Sequence, residues 1–117
     1  MSYDLAIWQG EVPASDREAA KVHRRLFDAY LERDELLPME TKIAEFIAAL
    51  TDRWPDQNAE DDSPWAGIPL SGGASGPYVY ITLAWSGAEE VSAYVAQTAS
   101  GFGLNCFDPQ MRALRSS

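Results

Sequence analysis

The chain has 117 residues, so by size we expect residues 1–117 to form one domain. With 46% hydrophobic and 23% charged residues, and with four Trp, five Tyr and four Phe, the composition excludes intrinsic disorder. The net charge of −9 disfavours direct binding to nucleic acid or to an anionic membrane, because that charge repels phosphate.

The negative charge is concentrated in residues 43–111. This segment holds nine acidic residues and one basic residue, Arg53, so it carries a charge of −8. A field of this sign accelerates association with a basic protein. The charge therefore predicts a basic protein partner, although an acidic surface also serves solubility alone.

The single cysteine, Cys106, excludes an intrachain disulfide and favours a reducing compartment. The start of the chain lacks the basic residues and the apolar run of a signal peptide. No stretch approaches the roughly 18 apolar residues that cross a bilayer. We therefore expect a cytoplasmic protein.

Residues 3–9 alternate as a strand with apolar side chains on both faces. A first helix follows, because Ser15 and Glu18 have the spacing of a capping pair and an apolar stripe continues towards Arg33. After an acidic link at residues 34–38, a second stripe ends at Trp54, before Pro55. Two helices joined by so short a link predict an antiparallel hairpin.

The second half predicts two strands, a helix and a final strand. Residues 65–70 indicate a short edge strand, the glycine-rich residues 71–77 a turn, and residues 78–85 the strongest strand, with Trp85 on its inward face. Ser86 and Glu89 repeat the capping pair at the start of a third helix. Residues 104–107 form the last strand, after a stop at Gly101 and Gly103.

The element order β-α-α-β-β-α-β predicts an α+β fold. With right-handed crossovers it corresponds to a ferredoxin-like split βαβ sandwich. We expect a four-stranded, mainly antiparallel sheet with the helices on one face and with the first and last strands adjacent.

Motifs for chemistry are weak throughout the chain. The acidic run from Asp56 fails the calcium-loop pattern, because Asp61 stands where glycine is needed and Gly67 where a bidentate glutamate is needed. The lone histidine, His23, borders an apolar stripe, and Cys106 lies mid-strand without a basic neighbour. We therefore predict no catalytic residue, no metal site and no cofactor, and favour a protein without enzymatic activity.

The candidate binding surface lies between the second helix and the sheet. There the acidic residues are followed by a tryptophan in a loop context, which we expect to be the most exposed of the four. An exposed tryptophan beside carboxylates is a suitable anchor for a protein partner. The alternative is that this tryptophan folds back over a helix end. The predicted partner-binding residues are Asp56, Glu60, Asp61, Asp62 and Trp65.

Three segments carry a resemblance to known proteins: residues 3–8 (YDLAIW), 63–66 (SPWA) and 103–110 (GLNCFDPQ). With these motifs the chain resembles a group of small, uncharacterised actinobacterial single-domain proteins. More weakly, it is similar to immunity proteins of bacterial toxin systems, which are small, acidic, cytoplasmic binders. This resemblance implies an immunity-type inhibitor of a basic toxin, and it implies no catalytic residue.

Two alternatives stay open. The protein could bind a small molecule, or act as an enzyme, through an open sheet face. It could instead be a homodimeric structural domain that pairs sheet faces or edges. The residues of the predicted open face are Trp8, Tyr78, Tyr80, Thr82 and Cys106.

Overall fold

A five-stranded antiparallel sheet forms the centre of the computed structural model, which describes residues 2–56, 63–66 and 69–115. The strands lie in the spatial order β2-β3-β1-β4-β5; they are β1 (Ser2–Trp8), β2 (Ala74–Ser75), β3 (Tyr78–Ala84), β4 (Asn105–Asp108) and β5 (Ala113–Leu114). The helices are α1 (Asp16–Leu26), α2 (Thr41–Arg53) and α3 (Ala88–Gly101), with a π-helix at Phe27–Leu31 and a 3-10 helix at Leu70–Gly73. The predicted α+β class with an antiparallel sheet is confirmed, but the sheet has a fifth strand.

Strand β1 is the central strand. It pairs with β3 from Ser2 to Trp8 and with β4 from Ala6 to Trp8. The first and last predicted strands are therefore neighbours, as expected. Because side chains alternate across a strand, Leu5 and Ile7 enter one core while Ala6 and Trp8 enter a second core on the opposite face.

Helices cover both faces of this sheet. On one face, Phe46 of α2 and Val95 of α3 pack with Leu5 and Ile81. On the other face, Ala19 of α1 packs with the second core. The predictions of helices on one face only, and of a hairpin between the first two helices, are therefore wrong.

The link between α1 and α2 carries the chain around the β2 edge of the sheet. The amide of Leu37 donates to the Ser75 hydroxyl at 2.9 Å, and the amide of Glu40 donates to the Gly76 carbonyl at 2.8 Å. These bonds fasten the link to the β2–β3 turn, so α2 emerges on the face opposite α1. A short link in sequence thus joins two helices that do not form a hairpin.

The helix ends follow the predictions only in part. Ser15 caps α1 as expected, because its hydroxyl accepts from the Glu18 amide at 3.1 Å. Helix α1 ends at Leu26 and continues as the π-helix, short of the predicted end near Arg33. Helix α2 ends at Arg53, just before Pro55, as predicted.

The predicted cap of α3 is wrong. Its N-cap is Gly87, in the left-handed conformation at φ +79°, and no side chain caps the helix. Helix α3 therefore begins at Ala88, which places Glu89 one position too early to form the capping pair with Ser86.

The edge beside β3 differs from the prediction of a strand at residues 65–70. Within the described part of that segment, Trp65 makes a single bridge to Leu83, and the Ala84 amide donates to the Pro64 carbonyl at 2.8 Å. The regular edge strand is β2, which lies inside the predicted turn at residues 71–77. Gly73 approaches β3 so closely that an added Cβ would lie 2.3 Å from the Tyr80 carbonyl oxygen.

Strand β5 was not predicted. The chain turns back after β4 through Arg112, at φ +53°, and the Arg115 amide donates to the Cys106 carbonyl at 2.7 Å. This return brings the Arg115 side chain back towards α3. Across the described ranges, no helix combines the length and the apolar character needed to cross a membrane.

Candidate functional site

Trp65, predicted to be exposed, is buried. Only 4% of it is accessible, and its indole N–H donates to the carbonyl oxygen of Trp54 at the end of α2. The two indoles meet edge to face, with ring centroids 6.0 Å apart. The alternative that Trp65 covers a helix end is therefore confirmed, and Trp65 is not an exposed anchor.

Asp56, the first predicted acidic residue, has a structural contact. Its carboxylate accepts a hydrogen bond from the Leu70 amide at 2.7 Å, at the start of the 3-10 helix. Glu60, Asp61 and Asp62 lie outside the described residues. Of the predicted binding residues, the structure therefore brings Asp56 and Trp65 to the same end of α2.

His23 belongs to an aromatic cluster. Its Nδ1 shares a hydrogen bond with the Tyr78 hydroxyl at 3.0 Å, and its ring stacks on Tyr80 with an interplanar angle of 11°. Burial lowers the pKa of His23, and the nearby charge of Arg24 lowers it further. A neutral, stacked imidazole with a phenol partner fits packing on the sheet, as expected for a histidine beside an apolar stripe.

Cys106 is a buried thiol, as predicted. Burial raises its pKa to about 12, so the nucleophilic thiolate is not populated near neutral pH. Its side chain belongs to the core beneath α2 and α3, on the sheet face opposite Trp8 and Tyr78.

Helix α1 and the π-helix cover part of the sheet face proposed as open. Trp8 and Tyr78 are fully buried beneath α1 and the π-helix, and Tyr80 packs against the same cluster. Cys106 lies on the other face, so the predicted set does not form one site. Tyr80 and Thr82, on the remaining part of this face, line a cavity of about 460 Å³ together with Phe27 and Leu36. The small-molecule alternative therefore stays a prediction.

A concave site in the described part of the chain lies where β3 meets α3. It is a cavity of about 490 Å³. Its walls come from the start of β1, the end of β3, the first turns of α3 and the residue after β5. The lining residues are Tyr3, Trp85, Gly87, Ala88, Glu89, Ser92 and Arg115.

Trp85 forms the exposed wall of this cavity. Predicted to be a core residue, it is 53% accessible. Strand β3 ends at Ala84, so the alternation that buries Ile81 and Leu83 no longer sets the direction of Trp85. Its ring rests beside Tyr3, with centroids 6.0 Å apart and the planes at 45°.

Behind the cavity lies a buried carboxylate, Asp108, whose accessible fraction is 0%. It accepts from the Tyr3 hydroxyl, from Gln110 Nε2 at 2.8 Å and from the Met111 amide at 3.0 Å. Arg115 Nη1 lies 3.4 Å from Asp108 Oδ2 and also donates to the Ser92 hydroxyl at 3.2 Å. Four donors therefore converge on this one carboxylate.

These contacts determine the protonation states around the cavity. Burial would raise the pKa of Asp108, but the hydrogen bonds from Tyr3, Met111, Gln110 and Arg115 outweigh burial and lower it. Burial, together with the hydrogen bond to Asp108, raises the pKa of Tyr3. Asp108 therefore stays ionised and Tyr3 stays a neutral donor, so the pair has no proton to exchange near neutral pH.

The groups around this cavity suit binding. The buried carboxylate of Asp108, behind the lining, is saturated by donors, the phenol of Tyr3 is neutral, and His23 and Cys106 lie elsewhere. Among the described residues, no group of three or more His, Cys, Asp or Glu side chains is placed to hold a metal ion. Glu89 and Glu90 add two exposed carboxylates on the first turn of α3, and Glu89 lines the cavity with Trp85.

Sequence reasoning missed the residues that build this cavity. Trp85 carried one usable signal, since it directly precedes Ser86 and Gly87, where a strand run ends. The sequence around Arg115 gave no such signal, because its contact with Ser92 depends on the turn from β4 to β5, which no local pattern encodes.

A scan of family models gives no match to this chain, and searches of curated proteins and of solved structures give none either.

Proposed function

We propose that the protein is a non-enzymatic binding domain that recognises a basic protein through an acidic surface around Trp85. The observation that carries the proposal is a 53% accessible tryptophan that lines one cavity with the exposed Glu89. The exposed Glu90 follows in the same helix turn, and the chain has a net charge of −9. Exposed tryptophans are frequent energetic anchors of protein interfaces. Carboxylates around such an anchor steer a basic partner towards it.

The proposed surface extends to the acidic run that the sequence predicted. Pro64 is hydrogen-bonded to Ala84, one residue before Trp85. In the sequence, Glu60, Asp61 and Asp62 directly precede the Ser63–Pro64 pair. We include these three residues as partner-binding residues, and we give Asp56 and Trp65 the supporting role of shaping the end of α2.

We infer further that the basic partner is a toxin that this domain inhibits. This step rests on the resemblance to immunity proteins described above. A binding surface without catalytic groups is what such an inhibitor requires, because it acts by occupying its target. The proposed setting is the bacterial cytoplasm.

We also propose that the four strands β1 to β4, with α2 and α3, form a ferredoxin-like unit. The support is the order β2-β3-β1-β4, together with the packing of α2 and α3 on the same face. In this interpretation α1 and β5 are additions, and α1 covers the face that such a unit leaves open.

The test is a comparison of variants, in which the double variant E89Q/E90Q has a control that removes the same number of charges. The protein is used as bait in extracts of its native cells, and the captured partner is purified. Its association rate is then measured with wild type, with E89Q/E90Q and with E60Q/D61N/D62N. E32Q/E35Q removes two charges near the opposite end of the sheet and serves as the matched control.

We expect the first two variants to slow association about three- to tenfold at low salt, and we expect the control to change it less than twofold. Added salt should reduce the wild-type rate and narrow these differences. An acidic partner, or equal effects of surface and control variants, would refute the proposed surface.

A further inference from the structure

We propose that the cavity beside Trp85 receives an arginine side chain of the basic partner. This inference rests on the proposed function, because it names the group that the acidic surface recognises. Two features of the cavity carry it, the exposed aromatic wall and the negative charge of the lining residues. The planar shape of the guanidinium then favours arginine over lysine.

The aromatic wall suits a cation. A guanidinium over the face of a tryptophan is attracted by the negative face of the ring. Trp85 lines the cavity and is 53% accessible, and the ring of Tyr3 lies beside it with the centroids 6.0 Å apart. The chain contains the same pairing elsewhere, since the guanidinium carbon of Arg53 lies 4.4 Å from the centroid of the Trp54 ring.

The charge balance also favours a cation. Arg115 contributes a positive charge to the lining, but Asp108 neutralises it from 3.4 Å away. Glu89 remains as an exposed lining carboxylate, and no salt bridge within the described residues involves it. Glu90 adds a second exposed carboxylate close by. The lining is therefore net negative, so an anionic ligand would be repelled.

Arginine fits this cavity better than lysine does. A planar guanidinium can stack on Trp85 while its fork of N–H donors engages the Glu89 carboxylate in a bidentate manner. The ammonium of lysine is a compact point charge without a planar fork of donors, so it cannot both stack on Trp85 and bond to Glu89 in a bidentate manner. A volume of about 490 Å³ leaves room for the whole side chain.

The experiment titrates the protein with N-acetyl-arginine amide and follows the Trp85 indole N–H by ¹⁵N NMR. The resonance is assigned with W85F, which should fold normally because Trp85 is exposed. The matched probes are N-acetyl-citrulline amide, which is neutral and nearly isosteric, N-acetyl-lysine amide and N-acetyl-glutamate amide. E89Q tests the carboxylate, and E32Q, at an exposed site on a different element, is its control.

We expect a saturable shift with the arginine probe, at millimolar affinity. Binding should weaken about tenfold for citrulline, which lacks the charge-assisted bond. It should weaken about threefold for lysine. E89Q should weaken arginine binding about fivefold, while E32Q should leave it within twofold.

Equal binding of citrulline and arginine, or tighter binding of the glutamate probe, would overturn the inference. If the arginine probe causes no shift but E89Q/E90Q still slows the partner, this inference fails while the proposed function stands. If the probe binds as expected but the partner's rate is insensitive to those charges, the proposed function fails and the arginine site remains.

Discussion

Replacing Asp108 with asparagine should destabilise the fold strongly at neutral pH. The substitution keeps the shape of the side chain but turns one acceptor oxygen into an NH₂ donor. In place of Oδ2 that donor would face the donors of Tyr3 and Arg115, and in place of Oδ1 it would face those of Gln110 and Met111. Each hydrogen bond to a charged group contributes about 1.5–3 kcal/mol. Because Arg115 is 27% accessible and water can partly replace its partner, we expect a loss of about 2–4 kcal/mol in the free energy of unfolding.

The assay is urea unfolding monitored by tryptophan fluorescence at pH 7 and at pH 3. The hydrogen bonds lower the pKa of Asp108 in the folded state, so its contribution to stability is present above the unfolded value of about 3.9. It is lost as the pH falls through the lower folded pKa. The difference between wild type and D108N should therefore shrink at pH 3. The corresponding shift in Tm at pH 7 is about 10 °C.

Asp52→Asn is the matched control. Asp52 is exposed near the end of α2, and its loss removes the same charge. We expect that variant to stay within about 0.5 kcal/mol of wild type. A D108N loss below that value at pH 7, or a difference from wild type that does not shrink at pH 3, would refute the assigned role of the carboxylate.

Three further predictions concern the core and the sheet edge. Burial lowers the pKa of His23, so the imidazole takes up a proton at higher pH in the unfolded chain than in the folded one. Stability should therefore fall as the pH drops below about 6.5. H23Q should reduce that fall, as measured by urea unfolding between pH 7 and pH 5. Gly73→Ala places a Cβ 2.3 Å from the Tyr80 carbonyl oxygen and should lower the free energy of unfolding by about 1–3 kcal/mol. The control Gly72→Ala meets no atom within 4 Å and should change stability little. Equal shifts in Tm for the two variants would contradict the close approach. Trp65→Phe removes the indole N–H that bonds to a carbonyl at the end of α2, and it should cost about 1–3 kcal/mol by urea unfolding; an unchanged midpoint would show that this bond contributes nothing.

Local patterns in the sequence predicted the elements whose environment is periodic. Leu5, Ile7 and Ile81 alternate with residues of the other face, so β1 and β3 could be predicted with their buried sides. The apolar stripe of α2, ended before Pro55, and the Ser15 cap of α1 are equally local. Each of these features depends only on residues within a few positions of one another.

The arrangement of the helices depended on contacts that the periodicity does not encode. The stripe of α1 shows that one side of the helix is buried, but it does not say against which face of the sheet. That choice follows from the bonds that hold Leu37 and Glu40 to the β2–β3 turn. A helical hairpin and a connection around the sheet edge bury the same apolar stripes of α1 and α2. No local feature of the sequence therefore contradicts the hairpin.

The proposed binding surface differs from the one predicted from the sequence for a related reason. Trp65 and Trp85 both stand near turn residues, and the sequence favoured Trp65 for exposure because it follows Ser63 and Pro64 in a loop context. Trp65 finds an unpaired carbonyl at the end of α2, so burying its indole satisfies both the ring N–H and a helix end. Trp85 follows the last residue of β3, and Gly87 turns the chain into α3 at once, so no described element covers the ring. The acidic surface that a basic partner would meet therefore centres on the first turn of α3, where Glu89 and the cavity lie together.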